Sequence, residues 1–117
     1  MASAAAFFGV GVFMDLDHLA DYWRETGLNA DVSRFMNYFS SRSARKLWLF
    51  LHAWELPMLA TALFLGAASP PHWMAWGLVG WFSHLMLDQR FNHLHPLAYF
   101  MVFRFKHGFL AERFYAD

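Results

Sequence analysis

The sequence predicts an all-α integral membrane bundle of about three transmembrane helices with one or two interfacial helices. Of the 117 residues, 58% are hydrophobic and only 15% are charged, whereas a soluble domain is about 25% charged. Residues 1–14 and 72–87 carry no formal charge, and residues 47–71 carry only Glu55. This length fits a single membrane domain, residues 1–117.

Composition also excludes several classes of protein. Nine basic residues balance nine acidic ones, so no net charge attracts nucleic acid. The absence of cysteine excludes disulfide frameworks and thiolate metal sites. A chain this small and this apolar cannot cover itself as a soluble monomer. A membrane domain is favoured, and a helical hairpin buried in a soluble oligomer is the alternative.

The first predicted helix covers residues 2–24 and ends before Gly27. It lacks the basic start and the small-residue cleavage site of a signal peptide, which favours a membrane helix. Residues 31–46 interleave basic with aromatic side chains, a pattern typical of an interfacial helix. A loop with a short connecting helix is the alternative for this segment.

A second helix is predicted over residues 44–66, with a kink at Pro57. Glycine and paired prolines predict a turn at 66–71, followed by a third helix over 71–90. A fourth, short helix is predicted over 97–105, after Pro96.

Basic residues predict the orientation of the chain in the membrane. Five of them lie in or at the ends of the loop between the first and second helices, and none lies in the 66–71 turn; the five are Arg24, Arg34, Arg42, Arg45 and Lys46. The first loop and the C-terminus are therefore expected in the cytoplasm and the N-terminus outside.

Ionisable side chains recur in each predicted span, where they are costly and usually functional. The three groups are Asp15, Asp17, His18 and Asp21; His52 and Glu55; and His84 and Asp88. Within each group, residues three or four apart share a helical face. At a rise of about 1.5 Å per residue, one member of each group lies roughly 10 Å inside a basic residue. The three pairs are Asp17 and Arg24, His52 and Lys46, and His84 and Arg90. The three groups are therefore expected at one depth, near the cytoplasmic interface.

Imidazole and carboxylate ligands without thiolates suit a divalent transition metal such as Zn, Mn or Fe. Helical bundles build sites for one or two such ions in this way. The predicted metal ligands are Asp17, His18, Asp21, His52, Glu55, His84 and Asp88. Glu55 or Asp15 is the predicted catalytic general base. His93 and His95 are candidates for supporting contacts, although a helix-ending turn also explains them.

A metal site of this kind generates hydroxide near neutral pH. Its position near lipid head groups predicts a hydrolase acting on a lipid phosphoester or ester. Membrane lipid is the expected partner, self-association is a further one, and nucleic acid is not expected.

Two motifs carry a resemblance to a known family. The first is Asp15-Leu-Asp17-His18, and the second is the pair His84 and Asp88 with three apolar residues between them. They resemble the motifs of the small bacterial predicted membrane-bound metal-dependent hydrolases, which are multi-helix inner-membrane proteins. The resemblance implies metal-ligand roles for these five residues and a bacterial inner membrane as the expected localisation.

The chain resembles a distant, short branch of that family. Met14 stands where the family has proline. The family's central element, a basic run ending in His-Ser, is replaced by residues 51–55, which include His52 and Glu55.

Three other functions remain open from the sequence. His52 and His84 could be axial ligands of a haem, although carboxylates would crowd it. Acidic and histidine clusters also serve metal or proton translocation. In a structural subunit, the same pairs would only hold helices together.

Overall fold

The computed structural model describes residues 1–115 and contains helices and turns, with no β-strand in that range. The α-helices are α1 Ala2–Met14, α2 Leu16–Thr26, α3 Val32–Ser40, α4 Glu55–Gly66, α5 His72–Phe91 and α6 Met101–Lys106. Short 3₁₀ turns occupy Phe50–His52, Pro96–Tyr99 and Ala111–Arg113. The all-α prediction is confirmed.

The first predicted helix is present but divides at Asp15 into α1 and α2. Asp15 keeps a right-handed backbone, with φ −68° and ψ −11°, so the two helices follow each other directly. Helix α2 ends at Gly27, whose φ of 77° suits glycine. Helix α3 lies inside the segment predicted to be interfacial, and the Asp31 carboxylate caps it by accepting the N–H of Arg34 at 2.9 Å.

The second predicted helix is shorter than predicted. Residues 44–54 form a non-helical connection, and α4 begins only at Glu55. Pro57 therefore lies in the first turn of α4, where its missing N–H costs no helical hydrogen bond. The predicted kink at Pro57 does not form, because only two residues of α4 precede this proline and there is no helix before it to bend.

Two carboxylates of α2 explain why the connection is not helical. Asp21 accepts the N–H groups of Trp48 and Leu49 at 2.7 and 3.1 Å. Asp17 accepts the N–H of Leu51 at 2.8 Å. These donors are therefore not available to a helix, and Leu49 adopts a left-handed φ of 38°.

The third predicted helix is present as α5. The fourth divides into the Pro96–Tyr99 turn and α6, because Phe100 between them is extended, with φ −113° and ψ 126°. The carbonyl of Tyr99 accepts the N–H of Trp54 at 2.9 Å, which fastens the C-terminal segment to the connection.

Helices α1 and α5 form the main helix pair and run parallel. Phe7 contacts Gly80, and one turn later Gly11 approaches His84. A Cβ atom at Gly80 would lie 2.5 Å from the carbonyl oxygen of Phe7, so only glycine permits this approach. Parallel neighbours also require a connection that returns the chain to the starting end.

The helical stretch Ala2–Thr26 is long and apolar enough to cross a membrane, the only such stretch found in the part of the chain that the structure describes. Just 11% of its most apolar window is buried inside the structure. Helix α4 has 12 residues, about 18 Å, which is shorter than the roughly 30 Å hydrocarbon core of a bilayer. The predicted middle span is therefore not a full transmembrane helix.

Candidate metal centre

The non-helical connection carries His52 into the interior, where the residue is 2% exposed. The carbonyl of His52 accepts a hydrogen bond from Nη2 of Arg104 at 3.1 Å. The carbonyl of Leu51 accepts one from Nε1 of Trp81 at 3.0 Å. Because buried backbone groups need partners, these bonds hold the turn around His52 in place.

Asp17 and His52 form a close carboxylate–imidazole pair. Nδ1 of His52 lies 2.9 and 3.1 Å from the two carboxylate oxygens of Asp17. Nδ1–H therefore donates to Asp17, and Nε2 faces the other way. Carboxylates orient metal-bound histidines in the same manner.

The charge on His52 depends on its carboxylate neighbours. Burial alone lowers the pKa of His52, but hydrogen bonds to Asp17 and Asp88 outweigh burial and raise this pKa to about 9. In the metal-free protein, His52 therefore carries a proton at neutral pH. A metal ion that binds Nε2 must displace that proton.

Three ligand atoms form a nearly equilateral triangle. Nε2 of His52 lies 3.2 Å from Nε2 of His84 and 3.0 Å from Oδ2 of Asp88. The distance from His84 Nε2 to Asp88 Oδ2 is 3.4 Å. Ligand atoms about 2.0–2.1 Å from a tetrahedral zinc ion are roughly 3.3 Å apart. The triangle matches one face of such a site and leaves a fourth position.

Asp15 lies beside this triangle. Its Oδ1 is 3.4 Å from Nε2 of His84 and 3.9 Å from Nε2 of His52. With 62% of its side chain exposed, Asp15 reaches the site from the accessible side. It can be a fourth ligand, or it can take a proton from a water molecule bound there.

His18 belongs to a second group, with Asp17 and His52, in which potential ligand atoms lie within 4.8 Å of one another. The His18 and His52 rings are 4.6 Å apart, edge to face. The second group uses the Nδ1 side of His52, which already donates to Asp17. A second ion would have to remove that proton as well, so the geometry favours one ion over two.

The structure places two predicted ligands away from both groups. Asp21 uses its carboxylate to hold the backbone of the connection. Glu55 accepts the N–H of Val102 at 3.2 Å through Oε1. The shared helical face predicted for His52 and Glu55 does not exist, because His52 lies in a turn before α4 begins.

Arg104 supports the site and was missed from the sequence. It is 1% exposed, and its Nη1 donates to the carbonyls of Trp48 and Leu49. Arg104 thus binds carbonyl groups of the connection, whereas the carboxylates of α2 bind its N–H groups. An arginine near the end of the otherwise apolar predicted helix 97–105 is the available signal.

A cavity of about 540 Å³ adjoins the site. Asp15, His18 and Asp88 line it, together with aromatic side chains of α3 that include Phe35 and Phe39. The ring of Phe39 is 5.1 Å from that of His18, edge to face. Helix α3 thus forms one wall of a cavity whose lining includes Asp15 and Asp88 of the site and the imidazole of His18.

His93 and His95, which follow the third predicted helix, have different positions. His93 lines the cavity. His95 accepts the N–H of Leu97 through Nδ1 at 3.2 Å, and its ring stacks on Phe103 with centroids 5.5 Å apart. His95 therefore caps a turn, and only His93 is placed to contact a bound molecule.

No protein-family model, curated protein or solved structure matches this chain. Function is therefore inferred from the chemistry of the side chains that the fold brings together.

Proposed function

We propose that this chain is a membrane-embedded metal-dependent hydrolase that binds one divalent transition-metal ion through His52, His84 and Asp88. The observation that carries the proposal is the triangle of ligand atoms, 3.0 to 3.4 Å on a side. Two imidazole nitrogens and one carboxylate oxygen suit Zn, Mn or Fe. Their tetrahedral spacing favours zinc.

Three protein ligands leave the fourth position for water, as in catalytic zinc sites. A metal ion held by these residues would lower the pKa of a bound water to about 7, and Asp15 is positioned to accept the proton. The water oxygen then bonds to the phosphorus or carbonyl carbon of an ester, and the bond to the alcohol breaks. The proton held by Asp15 passes to the departing alcohol oxygen. Asp15, rather than Glu55, is thus the proposed general base.

The outer surface supports a membrane location. Large apolar side chains are exposed on the three apolar helices, including Phe8, Val12, Phe13, Met58, Leu59, Leu63, Trp73, Trp76 and Val79. Apolar surface on this scale marks contact with lipid or with another protein. The low burial of the Ala2–Thr26 stretch means that this stretch is not the core helix of the isolated chain. Self-association would cover the same faces.

The parallel packing of α1 and α5 supports the proposed topology. Both helices end at the metal centre. After the connection at this end, α4 carries the chain back to the end where α5 begins. Basic residues lie at that end: Arg42 lines the adjoining cavity, and Arg24 and Lys46 lie over the Trp48 ring. The positive-inside rule then places the centre towards the cytoplasm and the N-terminus outside. A bacterial inner membrane is proposed on the family resemblance.

A non-enzymatic membrane protein is the second candidate. In that case the cluster would join helices, or hold a metal, a proton or haem. The hydrogen bonds of His52 to Asp17 and Asp88 favour this candidate, because they satisfy a cationic imidazole without any metal. Carboxylates around both histidines disfavour haem, which prefers an apolar surrounding.

Metal content tests the metal centre, and a hydrolysis assay then separates an enzyme from a non-enzymatic metal-binding protein. We would measure metals by elemental analysis in detergent-purified wild-type protein and in His84→Asn, Asp88→Asn and His72→Asn variants. His72 is the matched control, because it is exposed at the opposite end of α5. The proposal expects about one ion per chain in the wild type and in His72→Asn, and loss in the other two variants. Circular dichroism checks that each variant is folded.

A folded wild-type protein without stoichiometric metal, even after incubation with zinc, would overturn the proposal. If metal binds, hydrolysis is tested separately on phosphoester and carboxyl ester lipids. Asp15→Asn should then keep the metal and lose turnover. Full turnover in this variant would exclude Asp15 as the base.

A further inference from the structure

The cavity beside the proposed metal ion contains a basic side chain that hydrolysis itself does not use. Arg42 lines this cavity together with Asp15 and Asp88. It follows the end of α3 with a left-handed φ of 54°, which is uncommon outside glycine. Its own N–H donates to the carbonyl of Phe39 at 3.2 Å. The turn thus fixes the backbone from which the Arg42 side chain extends.

The Arg42 guanidinium lies over the ring of Tyr115, 4.9 Å from the ring centroid. Three other arginines, Arg24, Arg45 and Arg113, each lie within 4.0 Å of a carboxylate. Among residues 1–115, no such ion pair includes Arg42. A guanidinium has a planar set of donors that matches phosphate oxygens in a bidentate manner.

The rest of the cavity wall is largely apolar. Phe35, Phe39, Phe91 and Leu94 line it. A volume of about 540 Å³ lies within the range of about 300–1,000 Å³ that is usual for small-molecule sites. The cavity lining therefore combines one guanidinium with aromatic surface, beside the carboxylates of Asp15 and Asp88.

We infer that this cavity binds a phosphate-bearing lipid. Arg42 binds the phosphate oxygens, and the phenylalanine side chains contact the start of the hydrocarbon chain. The inference rests on the proposed function for the reaction that follows binding, and it deepens that proposal by naming the substrate class. Arg42 acts as a specificity-determining residue and takes no part in the bond-breaking step.

The test is a binding experiment on the full chain in neutral maltoside micelles, with and without added zinc. Dodecyl phosphate is the probe, titrated by calorimetry, and inorganic phosphate is the arm without a chain. The variants are Arg42→Gln and Phe91→Ala. Arg45→Gln is the matched control, because Arg45 is exposed and lies beside Glu25, outside this cavity.

We expect Arg42→Gln to weaken dodecyl phosphate binding at least about tenfold, as for loss of a charge-assisted hydrogen bond. Arg45→Gln should leave the affinity within about twofold. Phe91→Ala should weaken binding of dodecyl phosphate only. Equal affinity in Arg42→Gln and wild type, or equal losses in both arginine variants, would overturn the inference. Inorganic phosphate binding as tightly as dodecyl phosphate would overturn its lipid part.

The two proposals fail separately. Arg42-dependent binding by a protein that takes up no metal would overturn the metal centre and support the lipid site. A zinc-containing protein whose binding does not depend on Arg42 would overturn the lipid site and leave the metal centre standing.

Discussion

Nε2 of His52 and Nε2 of His84 lie 3.2 Å apart, although one residue precedes α4 and the other belongs to α5. At this distance the two nitrogens either share a proton or bind one metal ion. A proton and a metal ion therefore compete for these two nitrogens.

Metal uptake should strengthen with rising pH. The pKa of His52 is raised from 6.5 to about 9 in the metal-free protein, so the ion must displace a proton below pH 9. The same shift stabilises the metal-free fold fully below about pH 6.5, and this stabilisation is lost as pH rises through 9. Chelator competition and denaturation of the metal-free protein, both across this range, measure the two effects. A metal affinity that does not change between pH 6.5 and 9 would contradict the assignment.

Asp17→Asn should weaken metal binding about 10- to 100-fold, the usual cost of losing the carboxylate that orients a metal-bound histidine. Asparagine can still accept the N–H of Leu51, so the fold should persist. Chelator competition measures the affinity. Asp31→Asn is the control, because asparagine caps α3 as well as aspartate does. Equal affinity in Asp17→Asn and wild type would show that Asp17 does not orient His52.

Glu55→Gln should keep full metal content. The carboxylate of Glu55 accepts the N–H of Val102 and belongs to neither ligand group. Elemental analysis beside Asp88→Asn, which should lose the ion, checks this expectation. Loss of metal in a folded Glu55→Gln protein would restore Glu55 as a ligand.

Arg104→Gln should destabilise the protein by several kcal/mol, because each buried carbonyl left without a partner costs about 1–3 kcal/mol. Metal affinity should fall too, since the turn that carries His52 loses its anchor. Denaturant unfolding in mixed micelles measures the stability. Arg113→Gln is the control, since Arg113 is exposed. A stability change within about 0.5 kcal/mol, typical of surface substitutions, would contradict the anchoring role.

Gly80→Ala should destabilise the α1–α5 pair by about 1–3 kcal/mol, because the added methyl group meets the backbone of Phe7. Gly9→Ala is the control. Nothing lies within 4 Å of its Cβ position, and alanine favours a helix. Thermal unfolding compares the two variants, and equal midpoints would contradict the close packing.

Much of the helical arrangement could be predicted from apolar runs and turn residues. The connection 44–54 could not be, because its composition is that of a membrane helix. Its conformation depends on carboxylates of α2, more than 25 positions earlier in the chain. Local patterns do not report hydrogen bonds at that separation.

The candidate site was predictable to the extent that its groups share one depth. His52, His84 and Asp88 were named on that basis, and the structure brings them together. Asp21 and Glu55 were included because a helical face was assumed around each of them. Asp21 binds backbone instead, and Glu55 begins a helix that His52 does not join.

The order in which the ribosome makes the chain determines when the candidate site can form. Asp15 and Asp17 emerge from the ribosome first, and Asp88 emerges more than 70 residues later. Until α5 arrives, Asp15 lacks its imidazole partner His84, which is a costly state in the proposed membrane location. Only after α5 packs can His52 and His84 meet. Metal uptake by the proposed site is therefore expected late in assembly, and a chain truncated before α5 lacks two of its three proposed ligands.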